Sequence, residues 1–66
     1  MISTIGIIGA GSWGTALATV LAGKGNKVRI WDIDEKHLKS MEDNRENVDY
    51  LPGVALNDNI GISYTV

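Results

Sequence analysis

The feature that most limits what this chain can fold into is Gly9-Ala10-Gly11-Ser12-Trp13-Gly14, three glycines at G-x-G-x-x-G spacing, placed where the sequence changes period. Before it, residues 2–8 (Ile-Ser-Thr-Ile-Gly-Ile-Ile) are rich in β-branched side chains and read as a short buried strand. After it, from Ser12, the residues Trp13, Ala16, Leu17, Val20 and Leu21 fall at helical i, i+3, i+4 spacing, which predicts a helix with that apolar stripe facing the core. The helix stops at Gly23-Lys24-Gly25-Asn26, where a glycine suits a left-handed terminus.

The rest of the chain repeats the alternation. Lys27 to Asp32 gives a second strand, with Val28 and Ile30 on one face. Asp34 is placed to cap a second helix over Glu35 to about Glu42, whose thin apolar face is Leu38 and Met41, with His37 on its polar side. Glu42 to Asn47 is then polar and leads to Tyr50-Leu51-Pro52-Gly53, which reads as an irregular, solvated connection with a Pro-Gly turn. Ile60, Ile62, Tyr64 and Val66 alternate with small residues and predict a third strand. Strand–helix–strand–helix–strand implies an α/β fold: a Rossmann-type β-α-β-α-β half of a doubly wound parallel sheet with right-handed crossovers.

Composition argues that this half is truncated. A chain of 66 residues buries only roughly 60% of its unfolded surface, and small chains usually add disulfides or a metal. Neither is available, because there is no Cys and a single His. At 44% hydrophobic and 21% charged residues the composition is nonetheless that of a globular protein. A net charge of −2 gives no electrostatic footprint for nucleic acid or an anionic membrane. The run Ile5 to Ile8 is too short for a signal peptide, and Ala16 to Ala22 falls far short of the ~20 apolar residues of a membrane span. Absence of cysteine fits a reducing compartment, so the expected location is the cytoplasm.

The glycine motif carries the chemistry. By itself the string is common; here it follows a strand, opens a helix, and is followed by Asp32 at the end of the next strand, about where a dinucleotide-binding fingerprint asks for an acid. Gly9 permits the tight turn, Gly11 lets the backbone approach a pyrophosphate, and Gly14 lets the helix pack on the strand. The free N–H groups of the first helical turn, with the helix dipole, stabilise the phosphates. Asp32 is suited to the hydroxyls of an adenosine ribose and repels a 2′-phosphate, which favours NAD over NADP. Ser12 serves either as a phosphate contact or as a plain helix N-cap, and Trp13 either touches the dinucleotide or packs in the core.

Three separated segments carry a family likeness: Ile8-Gly9-Ala10-Gly11-Ser12-Trp13-Gly14-Thr15-Ala16-Leu17-Ala18, then Val28-Arg29-Ile30-Trp31, then Asn44-Arg45-Glu46-Asn47 with Tyr50-Leu51-Pro52-Gly53. Together they resemble the opening of the NAD(P)-dependent glycerol-3-phosphate dehydrogenases. The resemblance implies an enzyme that reduces dihydroxyacetone phosphate to sn-glycerol 3-phosphate, the backbone precursor of phospholipids. It implies further that residues 1–66 are the N-terminal part of an NAD-binding Rossmann domain, and that a helical substrate domain with a catalytic lysine lies beyond Val66. Ser12, Trp13, Asp32 and Ile33 match cofactor-contacting positions of that family, and Tyr50 a position sometimes assigned to the cofactor pocket. Many bacterial members carry a small residue and then Arg or His where this chain has Asp32-Ile33, so the departure again favours NAD.

Lys24, Lys27, Lys36 and Lys39 match no catalytic position and read as solvated surface charges, as does His37. Two other readings stand beside the dehydrogenase: a different Rossmann enzyme of the same superfamily, and a non-catalytic fragment that self-associates through unpaired sheet edges.

Overall fold

The computed structural model describes residues 4–65. Thr4–Ile8 forms strand β1, Ser12–Gly23 helix α1, Lys27–Trp31 strand β2 and Glu35–Asn44 helix α2. Two short strands follow, β3 (Glu46–Asn47) and β4 (Leu51–Ala55), and then β5 (Ile60–Ile62). Strands β1, β2 and β5 form a parallel sheet in the order β1-β2-β5, with Ile5 opposite Val28 and Ile30 opposite Ile62. This is the expected Rossmann-type half. Residues 2 and 3 of the predicted first strand, and Val66 of the predicted third, lie outside the described residues.

The central strand sets the core. Val28 and Ile30 are fully buried under the helices while Arg29, between them, is exposed on the opposite face. Asp34 caps α2 as expected, its side chain accepting from the His37 N–H at 3.1 Å, and Leu38 and Met41 close the helix onto the sheet. Burial of each such side chain is worth about 1.5–3 kcal/mol.

Helix α1 departs from the predicted stripe. Its buried residues are Thr15, Ala18 and Ala22, whereas Trp13 is 77% exposed and Val20 54% exposed. Of the predicted stripe, Leu21 packs against the core. The physical reason is separation: small residues at i, i+3 and i+7 let the helix backbone lie close to the sheet, and there is no room there for the larger side chains. The helix ends as expected, in paired bonds from Gly25 N to Ala22 O and Asn26 N to Leu21 O, the Schellman arrangement.

The connection after α2 is more ordered than the sequence suggested. The helix runs on to Asn44 and ends with Arg45 in the left-handed region, at φ 50°. Glu46 and Asn47 then pair antiparallel with β4, so the expected solvated loop is a small hairpin. The Arg45 guanidinium fastens it to β5, donating to the carbonyls of Asn57 and Ile60 at 2.9 Å each. Strand β5 is also shorter than its alternation implied. Tyr64 lies beyond it, with its hydroxyl donating to Glu42 at 3.2 Å.

The sheet has one covered and one bare face among the described residues. On the bare face a cavity of about 420 Å³ is lined by residues that include Ile8, Arg29, Trp31 and Ser63. Among the described residues no helix is long and apolar enough to cross a membrane.

Candidate functional site

Parallel strands deliver their C-terminal ends to one edge of a sheet, and that edge is where α/β folds bind ligands. Here the Gly9 N–H donates to the Trp31 carbonyl at 2.7 Å, which fixes the glycine turn beside the end of β2. Gly9 has φ +108°, a conformation that side-chain-bearing residues rarely adopt. At Gly14 a Cβ would collide with the Gly9 carbonyl oxygen, so helix and turn meet backbone to backbone. At Gly11 a Cβ would meet nothing within 4 Å. The chain therefore demands Gly9 by its backbone conformation and Gly14 by its packing, and leaves Gly11 to some other requirement.

Helix α1 opens toward solvent at this turn. Gly11 is its N-cap and makes no side-chain cap bond, and the first turn holds no acidic residue. The reading of Ser12 as N-cap is overturned: the cap falls one residue earlier, and Ser12 is the first helical residue. The first-turn N–H groups thus have no intrahelical acceptor and face outward at the positive end of the helix dipole.

Asp32 closes the site from the neighbouring strand. Its Oδ2 accepts from the Ala10 N–H at 2.7 Å and its Oδ1 from the Asp34 N–H at 3.0 Å. These two bonds, Ala10 first, hold its carboxyl below the usual carboxylate range, so it is an anion at neutral pH. Each oxygen keeps acceptor capacity for a further donor. The apolar side chains of Ile33, next in the chain, and of Trp13 are exposed at 85% and 77%, and Tyr50 at 57%. Core packing by Trp13 is thereby overturned.

A second ring of residues, not foreseen as such, lies beneath the turn. His37 was expected on the polar side of its helix but is buried, because the α2 repeat places it beside Leu38 and Met41 rather than opposite them. Its Nε2 lies 2.8 Å from the Ala10 carbonyl. Asn47 is fully buried and its Nδ2 donates to the same carbonyl at 2.9 Å and to the Thr15 hydroxyl at 2.8 Å. The Tyr50 N–H in turn donates to Asn47 Oδ1 at 3.2 Å, and the Tyr50 ring stands edge-on to His37 with centroids 5.1 Å apart. The i, i+4 spacing of His37 and Met41 was the available signal for His37; for Asn47 it was its presence within a segment of family likeness. Lys24, Lys27, Lys36 and Lys39 are exposed, as expected, and Lys39 pairs with Asp43 at 3.1 Å.

A βαβ unit whose first turn is G-x-G-x-x-G, with a helix N-terminus above it and a carboxylate at the end of the second strand, defines a dinucleotide-binding α/β domain of the dehydrogenase type. The chain belongs to the family described as NAD-dependent glycerol-3-phosphate dehydrogenase N-terminus, whose family model matches residues 4–65. It is 53% identical over 58 residues to the NAD(P)+ glycerol-3-phosphate dehydrogenase of Agathobacter rectalis, a match covering 88% of this chain and 17% of that protein. The corresponding enzyme of Citrifermentans bemidjiense is 46% identical over 63 residues, covering 96% of this chain and 19% of its own length. The crystal structure of glycerol-3-phosphate dehydrogenase from Coxiella burnetii superposes with a TM-score of 0.95 at 42% identity, over 98% of this chain and 20% of that one. The chain therefore spans a fifth or less of these relatives.

Proposed function

We propose that this chain is the cofactor-binding segment of a cytoplasmic, NAD-linked glycerol-3-phosphate dehydrogenase, which reduces dihydroxyacetone phosphate to sn-glycerol 3-phosphate for glycerophospholipid synthesis. One observation carries the reading: the Asp32 carboxylate is bonded directly to the Ala10 N–H inside the glycine turn, so phosphate cradle and ribose acceptor form one unit. The open space at Gly11, where a Cβ would stand in nobody's way but a ligand's, supports the fit. The first-turn N–H groups of α1, with Gly9, Gly11, Ser12 and Gly14, would hold the pyrophosphate, and Asp32 the ribose hydroxyls. Trp13, Ile33 and Tyr50 offer exposed apolar surface for the remainder of the dinucleotide. The nicotinamide supplies the hydride.

The work of these residues is to bind and orient. Asp32 selects, since its charge opposes a 2′-phosphate and its free lone pairs accept from hydroxyls. The four lysines are exposed, and none lies in the glycine turn, so the proton donor and the phosphorylated substrate's contacts are assigned to the helical domain expected beyond Val66. The full-length enzyme carrying this segment should show a higher kcat/KM with NADH than with NADPH. The reverse order would sink the NAD assignment.

The bare sheet face favours one further property. Ile8 is 71% exposed there, and parallel sheets are normally covered on both faces, so the isolated 66-residue chain would self-associate.

A further inference from the structure

We infer that His37 and Asn47 are positioning residues for the dinucleotide: together they hold the Ala10 carbonyl inward and thereby aim the glycine turn at the pyrophosphate. The inference rests on the dinucleotide reading given above. Ala10 is fully buried, and all of its backbone polar capacity is used. Its N–H goes to Asp32 Oδ2, and its carbonyl oxygen takes two donors, His37 Nε2 from α2 and Asn47 Nδ2 from β3. In a trans peptide the carbonyl and the following N–H point in opposite directions. An Ala10 carbonyl held inward therefore turns the Gly11 N–H outward, to the side where the first-turn N–H groups of α1 also point. A flipped peptide would present the carbonyl oxygen to the phosphates and leave two buried donors without an acceptor.

Both clamps are built for one orientation. A carbonyl only accepts, so the proton of neutral His37 sits on Nε2. Its Nδ1 has no hydrogen-bond partner and lies 3.6 Å from the Asp49 carboxylate, so the ring's one neutral-state bond is spent on the turn. The Asn47 amide cannot rotate without losing Ala10, Thr15 and Tyr50 together. The hairpin that the sequence presented as a loop is thus what carries Asn47 under the turn.

The test uses the full-length protein carrying this segment, with ADP-ribose and adenosine as competitors of NADH fluorescence. Removing the donor in His37→Leu should weaken ADP-ribose about tenfold, the worth of one such hydrogen bond, and leave adenosine within about twofold. His37→Gln, whose amide nitrogen reaches a similar place, should restore ADP-ribose affinity to within about threefold of the parent. Ring ¹⁵N shifts of His37 in the unsubstituted protein should place the neutral-state proton on Nε2, a signature independent of any variant's folding. Equal losses for both ligands, no rescue by Gln, or a neutral-state proton on Nδ1 in place of Nε2 would overturn the inference. An unsubstituted protein that binds neither ligand overturns the dinucleotide reading, and the inference with it.

Discussion

Single residues in the turn divide into those the chain's own structure needs and one, Gly11, that it does not, and substitution separates them. Gly14→Ala places a Cβ against the Gly9 carbonyl and should cost about 1–3 kcal/mol in urea melts, as overpacking does. Gly11→Ala meets nothing in the chain, so its melting temperature should hold while NADH affinity falls in fluorescence titration. Equal loss of stability in both would remove the distinction. Asp32 has a pH signature. Its carboxyl is held below the usual carboxylate range by the Ala10 and Asp34 N–H groups, so its contribution to stability is complete above that range. The contribution is lost as pH falls through the lowered value, where the folded chain takes up the proton. Asp32→Asn should therefore flatten the acid limb of stability against pH, and an unchanged limb would deny Asp32 this role. The placement of Asp32 beside the glycine turn was legible in sequence because it follows from residue type at a fixed spacing. His37 was misread as polar-side although it lies four residues before Met41; its bond to the Ala10 carbonyl, 27 residues away, is what no local spacing shows.

At the level of elements, α1 carries the main lesson about reading periodicity. Two sets of residues on this helix share a helical repeat: Trp13, Ala16, Leu17, Val20 and Leu21, of which Leu21 packs against the core, and Thr15, Ala18 and Ala22. Size favours the first as a core stripe, but the second is buried, because the Gly9–Gly14 contact pulls the helix against the sheet. Ala18→Leu should consequently destabilise by about 1–3 kcal/mol, while Val20→Ala, at an exposed site, should stay within about 0.5 kcal/mol. Urea unfolding of the two variants decides, and a larger loss at Val20 would restore the apolar stripe as the core face. Helix α2 shows the opposite case: its cap Asp34 and its face of Leu38 and Met41 were readable, because capping and amphipathic spacing agree there. The hairpin of β3 and β4 escaped notice because a two-residue strand carries no period of its own.

For the molecule as a whole, what matters is the asymmetry of the sheet. The two helices cover one face; the other, with Ile8 and Trp31, is bare among the described residues, and β1 is an edge strand. The 66-residue chain by itself should sediment as a concentration-dependent mixture larger than a monomer. A monomer that binds NADH tightly would sink that expectation. Addition of the chain that relatives carry beyond this segment, four fifths or more of their length, should abolish the association.

The sequence by itself determined the order of elements, the parallel topology and the identity of the glycine turn with its acid, because each rests on local spacing: β-branched runs, helical repeats, and glycines at G-x-G-x-x-G intervals. Family membership followed from the same local strings. Tertiary structure alone decided which face of α1 turns inward, that the polar connection folds into a hairpin, and that His37 and Asn47 meet at one carbonyl. Those outcomes depend on contacts between residues as far apart as Ala10 and Asn47, and on the close helix–sheet approach that made room for small side chains only. No window of local sequence contains that information.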